Sequence, residues 1–330
     1  MKLLVTGGLG FIGSNFILRA LNSNYDIVNV DAEFYGSNHQ NLNEIKNSEQ
    51  YSFVKGNIND KKLMEKLIGE CDSVVNFAAE SHVDRSILNP SPFLNSNILG
   101  TFTILEIIKN QNKRLVHIST DEVFGTIIDG SASEDTKFNP SNPYAATKAS
   151  AELLIMSYFT TYNTDTVITR CTNNYGPRQF TEKLIPKSIG LVNKNKKIPI
   201  YGTGKSIRDW IHVEDHCKAI LLALEKGKIG HSYNISASNE IENLTVVKKI
   251  LNILNKSEEN LQFVEGRPGE DTRYSLDSTK IRNELGWSPE INFEEGLEKT
   301  VQWYLSNKEW WKENEQKTSE ITPWEKSPQQ

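Results

Sequence analysis

The sequence predicts an α/β protein: a doubly wound parallel sheet carrying a smaller, interleaved C-terminal α/β lobe. Three observations predict it. Short β-rich runs alternate with helical-period runs through the first half of the chain. Those runs are apolar along their length, as strands covered on both faces are, whereas a half-exposed strand would alternate. After Thr172 the rhythm breaks into shorter pieces. At 330 residues the chain also exceeds one typical domain, which fits two closely packed lobes.

The elements follow in order. LLVT, DIVNV, YSFV, SVVNFA and RLVHIS read as strands, and segments near 11–22, 60–69, 92–110 and 144–162 read as helices between or after them. TVITRCT closes this series and bounds a first domain at 1–172. Beyond it come a helix around 183–194, a strand at IPIYG, a helix around 214–226, a strand at SYNIS, and helices near 243–255 and 293–306. These form a lobe over 173–312, interleaved with the first domain. Residues 313–330 are polar with two prolines and are expected to fray.

Composition narrows the function classes. A content of 37% hydrophobic and 24% charged residues is that of a globular chain. Net charge is −5 with Lys and Arg scattered, so no basic stripe offers itself to nucleic acid. Cys71, Cys171 and Cys217 are far apart and in no metal-ligand spacing, which fits a reducing cytosol and no metal site. The opening MKLLVTGG is too short an apolar run for a signal peptide, and no run of about 18 apolar residues is present to span a bilayer. A cytoplasmic location without membrane contact is expected.

VTGGLGFIGSNF places Gly7, Gly10 and Gly13 between the first strand and first helix. Glycines allow a tight turn and close backbone approach, and a helix N-terminus offers unpaired N–H groups to a pyrophosphate. Asp31 closes the second strand, where its carboxylate accepts from ribose hydroxyls and repels a 2′-phosphate. That favours NAD over NADP. YAATK then places Tyr144 and Lys148 on one face of a helix that starts after NPSNP. An ammonium beside a tyrosine, together with a cationic nicotinamide, favours the phenolate, which can take a proton from a hydroxyl as hydride leaves its carbon. Taken alone this pair describes an ordinary amphipathic helix; the upstream dinucleotide turn tips the balance. In STDEVFG, Asp121 and Glu122 stand side by side just past a strand end, where open α/β sheets bind ligands. Neighbouring carboxyls raise each other's pKa, so one can stay protonated while the other is ionised.

GGLGFIG, AAESHVDRSI, STDEVFG, YAATK, CTNNYGP, EKLIP, YGTGKSIRDW and GRPGEDTRYSLD together resemble the extended short-chain dehydrogenase/reductase superfamily, and within it the nucleotide-sugar 4,6-dehydratases, over residues 1 to about 311. The resemblance implies a Rossmann-type NAD-binding domain and a nucleotide-sugar-binding lobe. It implies a hydro-lyase that converts dTDP-glucose to dTDP-4-keto-6-deoxyglucose in rhamnose-type deoxysugar biosynthesis: hydride passes from C4 to NAD, water is eliminated across C5 and C6, and the hydride returns to C6. Glu122 would remove the C5 proton, Asp121 would protonate the departing C6 hydroxyl, Thr120 would bind near the C4 hydroxyl, and Tyr144 with Lys148 would carry the oxidation. Cofactor contacts carried over are Gly7, Gly10, Phe11, Ile12, Gly13, Asp31, Asn57, Ile58, Ala78, Ala79, Ser96, Tyr144, Lys148 and Asn174. Nucleotide-sugar contacts carried over are Ser81, Thr120, Asn173, Lys183, Leu184, Pro199, Tyr201, Arg208, Asn243, Arg267 and Asp271. Arg208 and Arg267 suit a diphosphate because guanidinium forks pair bidentately with phosphate oxygens. Tyr201 suits stacking on a pyrimidine. A homodimer built on the helices near 92–110 and 144–162 is also implied.

Four features depart from the family pattern. Asn57 stands where the family has Asp facing the adenine, Phe124 replaces a Tyr, Arg178 and Thr181 alter the segment beside the substrate, and the loop EFYGSNHQNL differs. Three other functions compete with this one. A UDP-glucose 4,6-dehydratase would share all the chemistry. A nucleotide-sugar 4-epimerase would share fold, cofactor and Tyr–Lys pair but needs no acid pair. A non-catalytic dinucleotide-binding scaffold would have lost Tyr144, Lys148 or Gly10, and all three are present.

Overall fold

The computed structural model describes residues 1–315; of the tail expected to fray, 316–330 lie outside the described residues. The strands are β1 (Lys2–Thr6), β2 (Asp26–Asp31), β3 (Tyr51–Lys55), β4 (Ser73–Asn76), β5 (Arg114–Thr120), β6 (Thr166–Cys171), β7 (Asn173–Tyr175), β8 (Ile198–Tyr201), β9 (Ile207–His212), β10 (Ser232–Ile235), β11 (Glu240–Glu242) and β12 (Leu261–Val264). The helices are α1 (Phe11–Asn22), α2 (Lys61–Gly69), α3 (Val83–Leu88), α4 (Ser91–Phe93), α5 (Gly100–Gln111), α6 (Pro143–Tyr162), α7 (Leu184–Asn193), α8 (Val213–Lys226), α9 (Asn243–Ile253), α10 (Thr279–Leu285), α11 (Phe293–Ser306) and α12 (Lys308–Glu315).

Seven strands pair in parallel in the order β10-β6-β5-β4-β1-β2-β3. Their apolar runs are explained by two cores, one on each face. In β1, Leu3 and Val5 join Phe16 of α1 and Ile220 of α8, while Leu4 joins Met64 of α2 and Ile104 of α5. Alternate residues on a strand point to opposite faces, so a strand with helices on both sides must be apolar at every position. Strand order reverses beside β1, with β2 and β3 on one side and β4 on the other. That reversal opens a crevice past the carboxyl ends of β1 and β4.

Two helices near the crevice have visible causes. α6 starts at Pro143, which cannot donate and so loses nothing in the first turn, after Asn142 accepts from the amide of Ala145 at 2.9 Å. The helix expected over 92–110 begins as α4, widens to a π turn at Leu94–Leu99 and continues as α5. Asn97 in that turn accepts from the amide of Glu80 (2.9 Å) and donates to the Glu80 carbonyl (3.0 Å) and to Thr147 (2.9 Å), fastening the loop after β4 to α6.

The smaller lobe holds the sheets β11-β9-β7 and β12-β8 and a core of Tyr175, Ile185, Trp210, Phe293 and Tyr304. Within 173–312 the chain crosses back: α8 packs on α1, and β10 pairs with β6 at the edge of the large sheet. Among the described residues no helix is long and apolar enough to cross a membrane, and no group of three or more His, Cys, Asp or Glu is placed to hold a metal.

Candidate active site

The crevice is a cavity of about 320 Å³. Every residue expected to contact a dinucleotide lines it, and so do Ser81, Thr120, Asn173 and Lys183 of the expected substrate set. The glycine turn fits such a ligand for a steric reason. Gly7 has φ +69°, and a Cβ there would lie 2.7 Å from the backbone of Ala78; a Cβ on Gly13 would lie 2.6 Å from the Gly7 carbonyl oxygen. α1 has no side-chain cap and no acid in its first turn, so its leading N–H groups remain for an anion. Asp31 accepts from the amides of Leu9 (3.0 Å) and Glu33 (2.8 Å) and from Ser37 Oγ (2.8 Å), which fixes its carboxylate at the cavity wall.

β5 delivers the acid pair. Thr120 ends the strand and caps a short 3₁₀ turn over Asp121–Phe124: its Oγ accepts from the amide of Glu122 at 3.3 Å and donates to Asp121 Oδ1 at 3.2 Å. Asp121 is buried and its Oδ2 has no partner among the described residues. Burial, and then the Glu122 charge, push its pKa well above the usual carboxylate range. Glu122 accepts from Asn142 Nδ2 at 3.2 Å and faces the Tyr274 hydroxyl at 3.5 Å. Beneath the turn, Arg170 places Nη2 and Nε at 2.7 and 2.8 Å from Glu152, which also accepts from Ser119 Oγ at 2.5 Å. The pair joins β6 to α6, with Ser119 tying β5 to it, and removing one partner of such a buried pair costs about 3–5 kcal/mol.

Tyr144 and Lys148 face the same cavity and are both buried. Burial, then the Glu122 charge, push the Tyr144 pKa well above that of a free tyrosine. Burial also lowers Lys148 to about 8, with Glu152 and Cys171 opposing.

The remaining expected substrate residues lie in the smaller lobe, outside this cavity's lining. Tyr201 and Arg267 converge on Asp84, at 3.1 and 3.3 Å, and Arg267 Nε is buried without a partner among the described residues. Arg208 is buried and gives its terminal nitrogens to the carbonyls of Ile207 (2.8 Å) and Asp271 (2.9 Å), with its guanidinium 4.3 Å from the Tyr274 ring centroid. Of the two expected diphosphate clamps, Arg267 is therefore the one with an unpaired nitrogen. Asp271 accepts from Thr126 and Tyr274, both at 2.7 Å, and from Ser141. Leu184 opens α7, Asn243 opens α9, and Pro199 lies in β8 beside β12.

The structure relocates three of the departures. Asn57 accepts from the amide of Asn59 at 2.9 Å while still lining the cavity. Phe124 packs against Phe138 beside Arg170, in the core beneath the turn. Arg178 donates to Asn41 O (3.1 Å), Asn15 Oδ1 (3.3 Å) and Glu44 (2.9 Å), fastening the loop after β2 to α1. The sequence also left a cross-cavity contact unseen. The Tyr35 hydroxyl donates to Glu182 at 2.6 Å, Arg85 lies 3.6 Å from the Tyr35 ring centroid, and Phe180 meets that ring edge-on. Nothing local marks a pair 147 residues apart.

Comparison with known proteins agrees with this geometry. The family described as GDP-mannose 4,6 dehydratase matches residues 4–300. The chain is 43% identical over 318 residues to a dTDP-glucose 4,6-dehydratase of Mycobacterium tuberculosis, covering 94% of this chain and 96% of that protein. It is 47% identical over 311 residues to the low-salt glycan biosynthesis protein Agl12 of Haloferax volcanii, covering 94% and 100%. The crystal structure of DesIV, a dTDP-glucose 4,6-dehydratase from Streptomyces venezuelae with NAD and TYD bound, superposes with a TM-score of 0.93 at 41% identity, covering 95% of this chain and all of that one.

Proposed function

Since the chain belongs to the nucleotide-sugar 4,6-dehydratases of the extended short-chain dehydrogenase/reductase superfamily, we propose that it is an NAD-dependent hydro-lyase converting dTDP-glucose to dTDP-4-keto-6-deoxyglucose. The observation that carries this is Asp121, buried at the end of β5 beside Glu122 and lining the same cavity as Tyr144 and Lys148. Bound NAD takes the hydride from C4, returns it at C6, and brings a cationic ring whose field favours the Tyr144 phenolate. Tyr144 receives the C4 hydroxyl proton, and Thr120 Oγ orients that hydroxyl. Glu122 removes the C5 proton once the C4 carbonyl has made it acidic, and Asp121 protonates the C6 oxygen as it leaves. Asp31 at the cavity wall disfavours a 2′-phosphate and so NADP.

Domain roles follow the same division, with 1–172 holding the cofactor and the lobe within 173–312 holding the nucleotide sugar. A nucleotide-sugar 4-epimerase needs no acid pair there. Incubation with dTDP-glucose is expected to give a product lighter by one water, and UDP-glucose to be turned over more slowly. A product of unchanged mass from both sugars would support the epimerase instead.

Homodimerisation is part of the proposal. Leu94, Leu99 and Phe102 before and within α5, and Leu153 and Met156 on α6, are 42–56% exposed, an apolar helical face that a second copy would cover. Light scattering at micromolar concentration is expected to give a dimer's mass; a monomer's mass would contradict it. A cytoplasmic location is proposed with it, on the cysteine usage.

A further inference from the structure

Three side chains from distant parts of the chain meet away from the catalytic turn, and one of them, Asp84, has been given no role. Asp84 lies buried in the first turn of α3, and its two carboxylate oxygens are divided between partners. Oδ2 accepts from the Tyr201 hydroxyl at 3.1 Å, and Oδ1 accepts from Arg267 Nη1 at 3.3 Å. Strand register brings these two partners together: β12 pairs with β8 so that Val264 stands opposite Tyr201, and Arg267 follows in the loop just beyond. α3 is held in place from the other side. Val83 packs with Phe93 and Tyr144, and Ser86 Oγ accepts from the Tyr144 amide at 3.2 Å.

The direction of both bonds is fixed by the groups themselves. A carboxylate only accepts and a guanidinium only donates, so a phenol facing that carboxylate must donate. With Nη1 engaged by Asp84, Arg267 Nε is left buried without a partner among the described residues, an N–H that an incoming acceptor would satisfy. We infer that Asp84 is a positioning residue for the nucleotide end of the substrate. It holds Tyr201 by the hydroxyl, which sets the ring for the pyrimidine, and holds Arg267 by one nitrogen, which keeps Nε for the diphosphate. Asp84, Tyr201 and Arg267 are all absent from the lining of the cavity that contains the acid pair, so the role concerns binding and not the chemical steps. The charge of Asp84 alone would repel a diphosphate. Positioning and repulsion therefore change affinity in opposite directions, which makes the sign of the effect decisive.

This role rests on the nucleotide-sugar function proposed above, and titration calorimetry of the holoenzyme with dTDP separates the two. Asp84→Asn keeps the shape of the side chain but has one acceptor oxygen for two donors, and is expected to weaken dTDP roughly 10- to 100-fold. KM for dTDP-glucose should rise by a similar factor, while bound NAD and the rate of nicotinamide reduction at saturating sugar stay near wild type. A matching fall in bound NAD and in that rate would make Asp84 merely structural and overturn the inference. Tyr201→Phe keeps the ring and loses only the donated bond. It is expected to weaken dTDP a few-fold on its own and to add little to Asp84→Ala, where no acceptor remains. Wild-type or tighter dTDP binding by Asp84→Asn, or an equal effect of Tyr201→Phe in both backgrounds, would overturn the inference and leave the nucleotide-sugar function standing. A wild-type holoenzyme that binds neither dTDP nor UDP would overturn that function and this inference with it.

Discussion

Tyr144→Phe is expected to lose the first chemical step and with it every later one. Removing the phenol oxygen leaves the C4 hydroxyl with no group to take its proton, and general-base contributions of this kind are worth roughly 10²–10⁴-fold. The structure sharpens what this variant tests. Burial and Glu122 hold the phenol strongly protonated in the chain alone, so ionisation depends on what the bound cofactor adds. Stopped-flow absorbance of reduced nicotinamide should therefore stay flat in Tyr144→Phe, and water loss should be lost in parallel. Cofactor reduction at the wild-type rate would remove Tyr144 from the mechanism.

The acid pair carries the second prediction, because it assigns two carboxyls to two separable events. Glu122→Gln is expected to oxidise the sugar and accumulate reduced cofactor while exchanging the C5 proton with solvent roughly 10²–10⁴-fold more slowly. Asp121→Asn should keep that exchange and slow the loss of water, since an amide cannot protonate the departing oxygen. Asp121 acts as its protonated form, and its pKa is raised. Proton donation to the leaving oxygen therefore declines as rising pH ionises that residue, an alkaline limb that Asp121→Asn should lack. Elimination at the wild-type rate in both variants would leave the pair a solvated turn.

The legible parts of this protein are the local ones. β1 to β6 could be read because strands buried on both faces are continuous apolar runs, and the glycine turn because its spacing and its flanking strand and helix lie within a few residues of one another. The acid pair and Tyr144–Lys148 were visible for the same reason. Contacts made by the tertiary fold were not. β7, β9 and β11 are three to six residues long and pair only with partners brought in by the smaller lobe. SYNIS reads as a strand, yet its place at the edge of the large sheet depends on β6, some sixty residues earlier. The i,i+4 spacing of Tyr144 and Lys148 reveals neighbouring side chains but not how deeply both are buried. The partners of Arg178, Asn15, Asn41 and Glu44, were not legible because they are more than 130 residues away in sequence.

The central claim is that one site oxidises C4, eliminates across C5 and C6, and reduces C6 with the same hydrogen. Its most direct test follows that hydrogen in the wild-type enzyme, supplied with dTDP-glucose deuterated at C4 in ordinary water, by mass spectrometry and proton NMR of the product. The account predicts deuterium in the C6 methyl group of a product lighter by one water. Deuterium retained at C4 in a sugar of unchanged mass and inverted configuration would contradict it.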